Sequence, residues 1–207
     1  SNIVGERWYR AVVRDVLNVC TPARSNMVKI TIAPVPTATL TGSATICAGS
    51  STVLTAAFTN TIASSVYEIS DDNGATWTTV TGTTYTVTPS TTRNYFVRIT
   101  NSPCATVTSA PAVTVTVSPA PVAGTATANT PTGCVGVTAP TITLTGSSAV
   151  IVGWEISTDQ VTWTSFGNPG AATITTDNTL VGDRSYRAEV RDLLNVCSHV
   201  TRNMVKI

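Results

Sequence analysis

The chain has 207 residues, of which 42% are hydrophobic, 6% aromatic and 11% charged, with a net charge of +1. That is less than half the usual share of charged residues, about a quarter, and Lys occurs only at positions 29 and 206, so the clustered basic surface that nucleic acid needs is excluded. Thr (41 residues) and Val (27) dominate; both are β-branched and favour strands, which excludes an all-α protein and long disorder.

The first element carries the strongest signal. Residues 4–20, VGERWYRAVVRDVLNVC, return at 181–197 as VGDRSYRAEVRDLLNVC, and Asn26–Ile30 return at Asn203–Ile207. The offset is 177 throughout, and 18 of residues 1–30 are identical to their counterparts. Self-similarity at a fixed period marks a repeat architecture. The expectation is a segment of a longer tandem array, opening and closing partway through a module. Residues 7–17 fit both helical spacing and strand alternation. The copies arbitrate, because Val12 is replaced by Glu189. On a helix that position lies in the apolar stripe, where a carboxylate is costly. On a strand it points outward with Arg10 and Arg14. The prediction is strand.

Within the period lies a weaker repeat. Tyr67-Glu68-Ile69-Ser70 matches Trp154-Glu155-Ile156-Ser157, and each precedes a turn and then Thr-Trp-Thr at 76–78 and 162–164. Each then reaches a Tyr-led strand at Tyr95 or Tyr186, and a Cys at Cys104 or Cys197. This divides the chain into the end of one module at 1–34, a complete module at 35–119 and a nearly complete one at 120–207. The boundaries carry Pro34 and Pro36, then Pro119 and Pro121, which favour short, semi-rigid linkers. Alternation and turn residues predict strands over 37–41, 52–58, 65–70, 75–80, 84–88, 93–100 and 105–117. In the last module they fall over 124–128, 141–146, 150–157, 161–166, 172–176, 184–192 and 196–207. The fold class is therefore all-β, in tandem immunoglobulin-like sandwiches of about seven antiparallel strands. Trp154 takes the place of the buried strand-C tryptophan of such folds, and Tyr67 its equivalent.

Five cysteines follow the modules: Cys47 and Cys104 in one, Cys134 and Cys197 in the next, and Cys20 aligned with Cys197. In a secreted chain this predicts a structural disulfide in each module, with the partner of Cys20 upstream. A cysteine before strand B and one after strand F lie at opposite ends of a standard sandwich. Either strand A bends or the pairing differs. With no C-x-x-C and only His199, zinc is not expected, nor any other cofactor.

Ser70-x-Asp72-x-Gly74-x-Thr76-Trp77 matches the Asp-box of sialidases. The second module shortens it to Ser157-Thr-Asp159-Gln-Val-Thr162-Trp163, and a hairpin turn explains both. Asp71-Asp72-Asn73-Gly74 lacks the spacing of a calcium loop. Glu68 and Glu155 stand in different modules and cannot flank one bond. A single histidine supports no catalytic triad, so no enzymatic activity is expected. Arg10, Arg14, Arg187 and Arg191 form a stripe expected to pair with Glu6, Asp15, Asp183 and Asp192. Trp8 becomes Ser185 in the second copy and is no shared ligand contact. Lys29 and Lys206 are expected as ordinary surface lysines rather than isopeptide partners.

The string LTGSATICAGSSTVLT at 40–55, with Trp154-Glu-Ile-Ser and Tyr186-Arg-Ala-Glu-Val-Arg leading to Cys197, resembles the immunoglobulin-like and PKD-like repeats of large Bacteroidetes surface proteins. The resemblance implies a long repetitive adhesin exported by the type IX route, of the gliding-motility or surface-filament kind. Its location would be extracellular. Its partners would be neighbouring modules, laterally associated copies or a surface ligand. The alternative is carbohydrate-binding or spacer modules attached to a secreted enzyme.

Overall fold

A computed structural model describes residues 4–179 and 181–207, with Arg202 described by its backbone alone. It is all-β, with no helix among the described residues. Four strands precede the first complete module: β1 (Gly5–Tyr9), β2 (Val12–Val13), β3 (Ala23–Arg24) and β4 (Val28–Ile32). β1 pairs antiparallel with β4, and β2 with β3. The strand expected over 7–17 is thus shorter, because Asp15 turns the chain by accepting the backbone N–H of Val19 at 3.1 Å and Cys20 at 2.9 Å.

The next module holds β5 (Thr37–Thr41), β6 (Ala44–Cys47), β7 (Thr52–Thr59), β8 (Val66–Ser70) and β9 (Thr78–Thr79), then β10 (Thr84–Val87), β11 (Arg93–Thr100), β12 (Val107–Thr108) and β13 (Val113–Ser118). One sheet runs β10-β7-β5; on the other, β8 lies between β9 and β11, and β12 pairs β11. β6 pairs parallel with the end of β13. The antiparallel A, B and E strands facing C, F and G define the immunoglobulin-like sandwich, with β6 as the short strand that leaves A for G. β6 and the stretch 105–117 differ from the sequence expectation for identifiable reasons. β6 is only four residues long and had no alternation long enough to reveal it. The stretch 105–117 breaks around Pro111, which has no N–H to give a ladder.

The last module holds β14 (Thr125–Ala128), β15 (Thr141–Thr145), β16 (Val150–Ser157), β17 (Thr164–Gly167), β18 (Thr173–Thr175), β19 (Ser185–Arg191) and β20 (Val200–Lys206). Its sheets run β14-β15-β18 and β17-β16-β19-β20, the same A-B-E and C′-C-F-G order. The alternation of β19 buries Tyr186, Ala188 and Val190 against Ile142, Leu144 and Ile174. Trp154 on β16 is 1% exposed and donates its Nε1–H to Ala171 O at 2.9 Å, so the polar edge of a core tryptophan is satisfied. The Tyr186 hydroxyl accepts the N–H of Asp177 at 2.9 Å, the arrangement of a tyrosine corner. Tyr67, at the Trp154 position of the other module, is only partly buried and packs its ring 4.7 Å from that of Phe58.

The chain forms two compact units. The first comprises residues 1–42, 53–86 and 93–114; the second comprises 43–52, 87–92 and 115–207. These units divide the chain differently from the sequence modules. β6 and the segment 87–92 belong to the sandwich of residues 35–119 by strand order, yet group with residues 115–207.

Candidate functional site

The feature that distinguishes this chain chemically is a junction inside the second unit. It is built on the loop Asp192-Leu-Leu-Asn-Val-Cys197. The Asp192 carboxylate accepts the backbone N–H groups of Leu194 (3.1 Å), Val196 (3.1 Å) and Cys197 (2.8 Å). Its Oδ2 also accepts Ser118 Oγ at 2.6 Å. Asn195 takes a φ of 56°, a left-handed position that Asn tolerates. The loop so fixed holds Cys197 Sγ within 3.9 Å of Ser118 O and 3.7 Å of Pro119 O. On the other side, β6 runs beside β13 with Cys47 opposite Ser118, and Ala48 N donates to Ser118 O at 2.9 Å. Cys47 and Cys197 are bonded as a disulfide, with Cα atoms 4.9 Å apart and 150 residues apart in sequence.

This corrects the expected pairing. Cys47 is not bonded to Cys104, nor Cys134 to Cys197; Cys20, Cys104 and Cys134 carry free thiols. The reason is the geometry of the sandwich. A cysteine at the end of the short strand before B and one beyond F stand at opposite ends of their own module. Cys47 therefore meets the F–G loop of the repeat that follows it. The sequence showed the conflict, but not which cysteine resolves it.

Burial raises the pKa of Asp192, but hydrogen bonds from Ser118, Cys197, Val196 and Leu194 outweigh it and bring the carboxyl from 3.8 to about 2. A group depressed in the folded state contributes stability that is complete above its unfolded value and is lost as pH falls through the folded one. The melting temperature should therefore drop between about pH 4 and pH 2. Asp192→Asn should flatten part of that drop in a thermal denaturation series; an unchanged slope would remove Asp192 as its source.

A second constellation recurs on the outer face of both C–F sheets. Arg98 bonds Glu68 through Nε (2.5 Å) and Nη2 (3.0 Å), and its guanidinium lies 4.2 Å from the ring centre of Trp77. Arg187 bonds Glu155 at 2.6 Å and lies 4.0 Å from the ring of Trp163. The Arg98 hydrogen bond holds the Glu68 carboxyl below its ordinary range. Stacking on the indole adds a cation–π attraction. A shallow groove of about 250 Å3 runs past Trp163, Arg187, Gln160, Thr201 and Met204. The sequence contains each residue but not the stacking. It offered other partners for the arginine stripe, and these differ: Glu6 pairs with Lys29, and Asp183 with Lys206 at 2.7 Å. Asp15 and Asp192 serve backbone amides instead. Glu189, predicted to point outward, meets His199 Nδ1 at 2.7 Å. Trp8 is 59% exposed, with Lys29 Nζ 5.8 Å from its ring.

The Asp-box segment is a self-contained turn. Ser70 Oγ donates to Asp72 Oδ1 (2.7 Å) and accepts Gly74 N–H (2.8 Å). Asp72 accepts the Thr76 N–H and hydroxyl at 2.9 and 2.6 Å, and Trp77 Nε1 donates to Gly74 O at 3.0 Å. The Thr76 hydroxyl, then its N–H, then Ser70 bring Asp72 to about 2. Asp159 repeats the device with Ser157, Val161 and Thr162. These turns consume residues expected as strand, so β9 and β17 begin later than the alternation suggested.

Fold and junction together define a tandem-repeat β-sandwich protein whose consecutive repeats are joined by a disulfide. A family model described as "Domain of unknown function (DUF8696)" matches residues 37–119 and again residues 122–207. The chain belongs to this family and carries two tandem copies of its domain. No curated protein matches it.

Proposed function

We propose that the chain is a repeat segment of a long extracellular stalk or filament at a bacterial cell surface, structural and adhesive in role. The type IX-exported adhesins of Bacteroidetes that its sequence resembles are the intended class. The observation that carries this reading is the Cys47–Cys197 bond, which joins one repeat to the next. Such a staple is characteristic of an oxidising compartment, and it resists pulling where a linker alone would hinge. The 177-residue period and the Pro-bearing linkers point the same way. Electron microscopy of native cells, gold-labelled with an antibody to the period, tests the proposal. The expected result is label along filaments rising from the surface; label only on compact particles in the medium would overturn it.

One observation favours a second reading, carbohydrate-binding modules on a secreted enzyme. Trp77 with Arg98 and Trp163 with Arg187 recur in both repeats, as a shared ligand platform would. Glycan-array binding by the intact chain, lost on Trp163→Ala, would establish it.

A further inference from the structure

We propose that Cys134 and Cys104 are the two halves of a second junction disulfide, made between successive 177-residue periods, so that every repeat boundary in the array is stapled. The inference rests on the tandem-array part of the reading above, not on adhesion or location.

Cys134 is presented as Cys47 is. Cys47-Ala-Gly49-Ser50 turns with Gly49 at φ 86° and a Ser50 N–H to Cys47 O bond of 2.9 Å. Cys134-Val-Gly136-Val137 turns with Gly136 at φ 76° and a Val137 N–H to Cys134 O bond of 3.3 Å. Both glycines occupy the left-handed region that lets the chain reverse directly after the thiol.

Cys104 is held as Cys197 is. Its Sγ lies 3.7 Å from Ala33 O and 3.6 Å from Pro34 O. Cys197 Sγ lies 3.9 and 3.7 Å from Ser118 O and Pro119 O. In each case the sulfur rests on the linker carbonyls immediately before its own module. Asn101, fully buried, stands where Asp192 stands in the other loop, and its carbonyl receives Cys104 N–H.

The receiving surface is also present. In the second unit, residues 43–52 and 87–92 group with residues 115–207. Their counterparts one repeat later line an open hollow of about 390 Å3, bounded by Cys134, Pro140, Asn178, Val181, Gly182 and Arg184. Arg184, which lines the hollow, pairs through Nη1 with Asp177 Oδ2 at 3.4 Å. The occupant of the hollow is the F–G loop of the next repeat, the one bearing Cys104. Cys20 follows the same rule as Cys197, its partner being the Cys47 of the period before.

Each bond forms when two thiols lose two protons and two electrons. The acceptor is a disulfide of a thiol oxidase or of oxidised glutathione, reduced to two thiols by exchange.

The test is the chain extended by its own residues 31–207, oxidised, alkylated without reduction and mapped by peptide mass spectrometry. The expected cross-linked peptides join Cys47 to Cys197 within each period and Cys134 to Cys104 of the added period. Cys20, the first Cys104 and the Cys134 of the added period, which have no partner repeat, should be recovered alkylated. Cys134→Ser should leave Cys104 of the added period alkylated and the Cys47–Cys197 peptide intact. Recovery of Cys134 bonded to Cys197, or a folded extended chain that yields no Cys134–Cys104 cross-linked peptide, would overturn the proposal. Neither outcome bears on where the protein is found in the cell, which the labelling experiment decides.

Discussion

Cys197→Ser should lower the free energy of unfolding of the oxidised chain by about 2–4 kcal/mol, against a ceiling of about 5 kcal/mol from the entropy of closing so long a loop. The bond spans 150 residues, so in the unfolded chain it constrains most of both repeats. The local cost of the substitution is small. The new hydroxyl would sit where Cys197 Sγ now faces Ser118 O and Pro119 O, and it can donate to either carbonyl. The loss therefore reports the covalent link rather than a damaged loop. The bond ties the end of β6 in one repeat to the F–G loop of the next, so it couples their unfolding. Denaturant unfolding of the oxidised chain should follow one transition, and the Cys197→Ser chain should show two, with the reduced parent matching the variant. Cys20→Ser is the control: Cys20 is exposed and unbonded, and its loss should change nothing measurable. A Cys197→Ser chain as stable as the parent would mean that the repeats unfold independently even when joined.

The core was legible in the sequence wherever one face of a strand is buried. Tyr186, Ala188 and Val190 alternate with charged Arg187, Glu189 and Arg191, and the alternation has no other economical explanation. Trp154 was legible for the same reason, from its place ahead of a second Trp and a turn. The junction was not, because connectivity of cysteines is a property of which loop ends meet in space. Composition and spacing are blind to that. The four-residue β6 was invisible too, although it is the strand that delivers Cys47 to the module end. The Trp–Arg–Glu clusters fall between these cases. Their residues repeat visibly in sequence, but their stacking depends on the register of β8 with β11, which sets Glu68 opposite Arg98, and of β16 with β19, which sets Glu155 opposite Arg187.

The repeat supplies its own control for what burial is worth. Tyr9 and Tyr186 are the same residue in the same local sequence, YRAVVRD and YRAEVRD. Tyr186 is 0% exposed, its ring meeting Phe166 edge-on at 5.3 Å, while Tyr9 is 54% exposed. Val13 and Val190 differ in the same way, at 63% and 0%. The difference lies in what covers them. Residues 185–191 pack on β14, β15 and β18, whereas β1 and β4 pair only with one another among the described residues. Tyr186→Ala removes a buried ring, a hydrogen bond from Asp177 and an aromatic contact, and should cost about 3–5 kcal/mol. Tyr9→Ala removes a ring that water already reaches and should stay within about 0.5 kcal/mol. Both follow from thermal or denaturant unfolding of the two single variants. In the chain extended upstream by residues 31–177 of its own period, strands equivalent to β14, β15 and β18 would cover β1 and β4. There Tyr9→Ala should become as costly as Tyr186→Ala, because position 9 would then be core. Equal, small losses at both positions in the present chain would show that the last repeat does not bury its F strand as described.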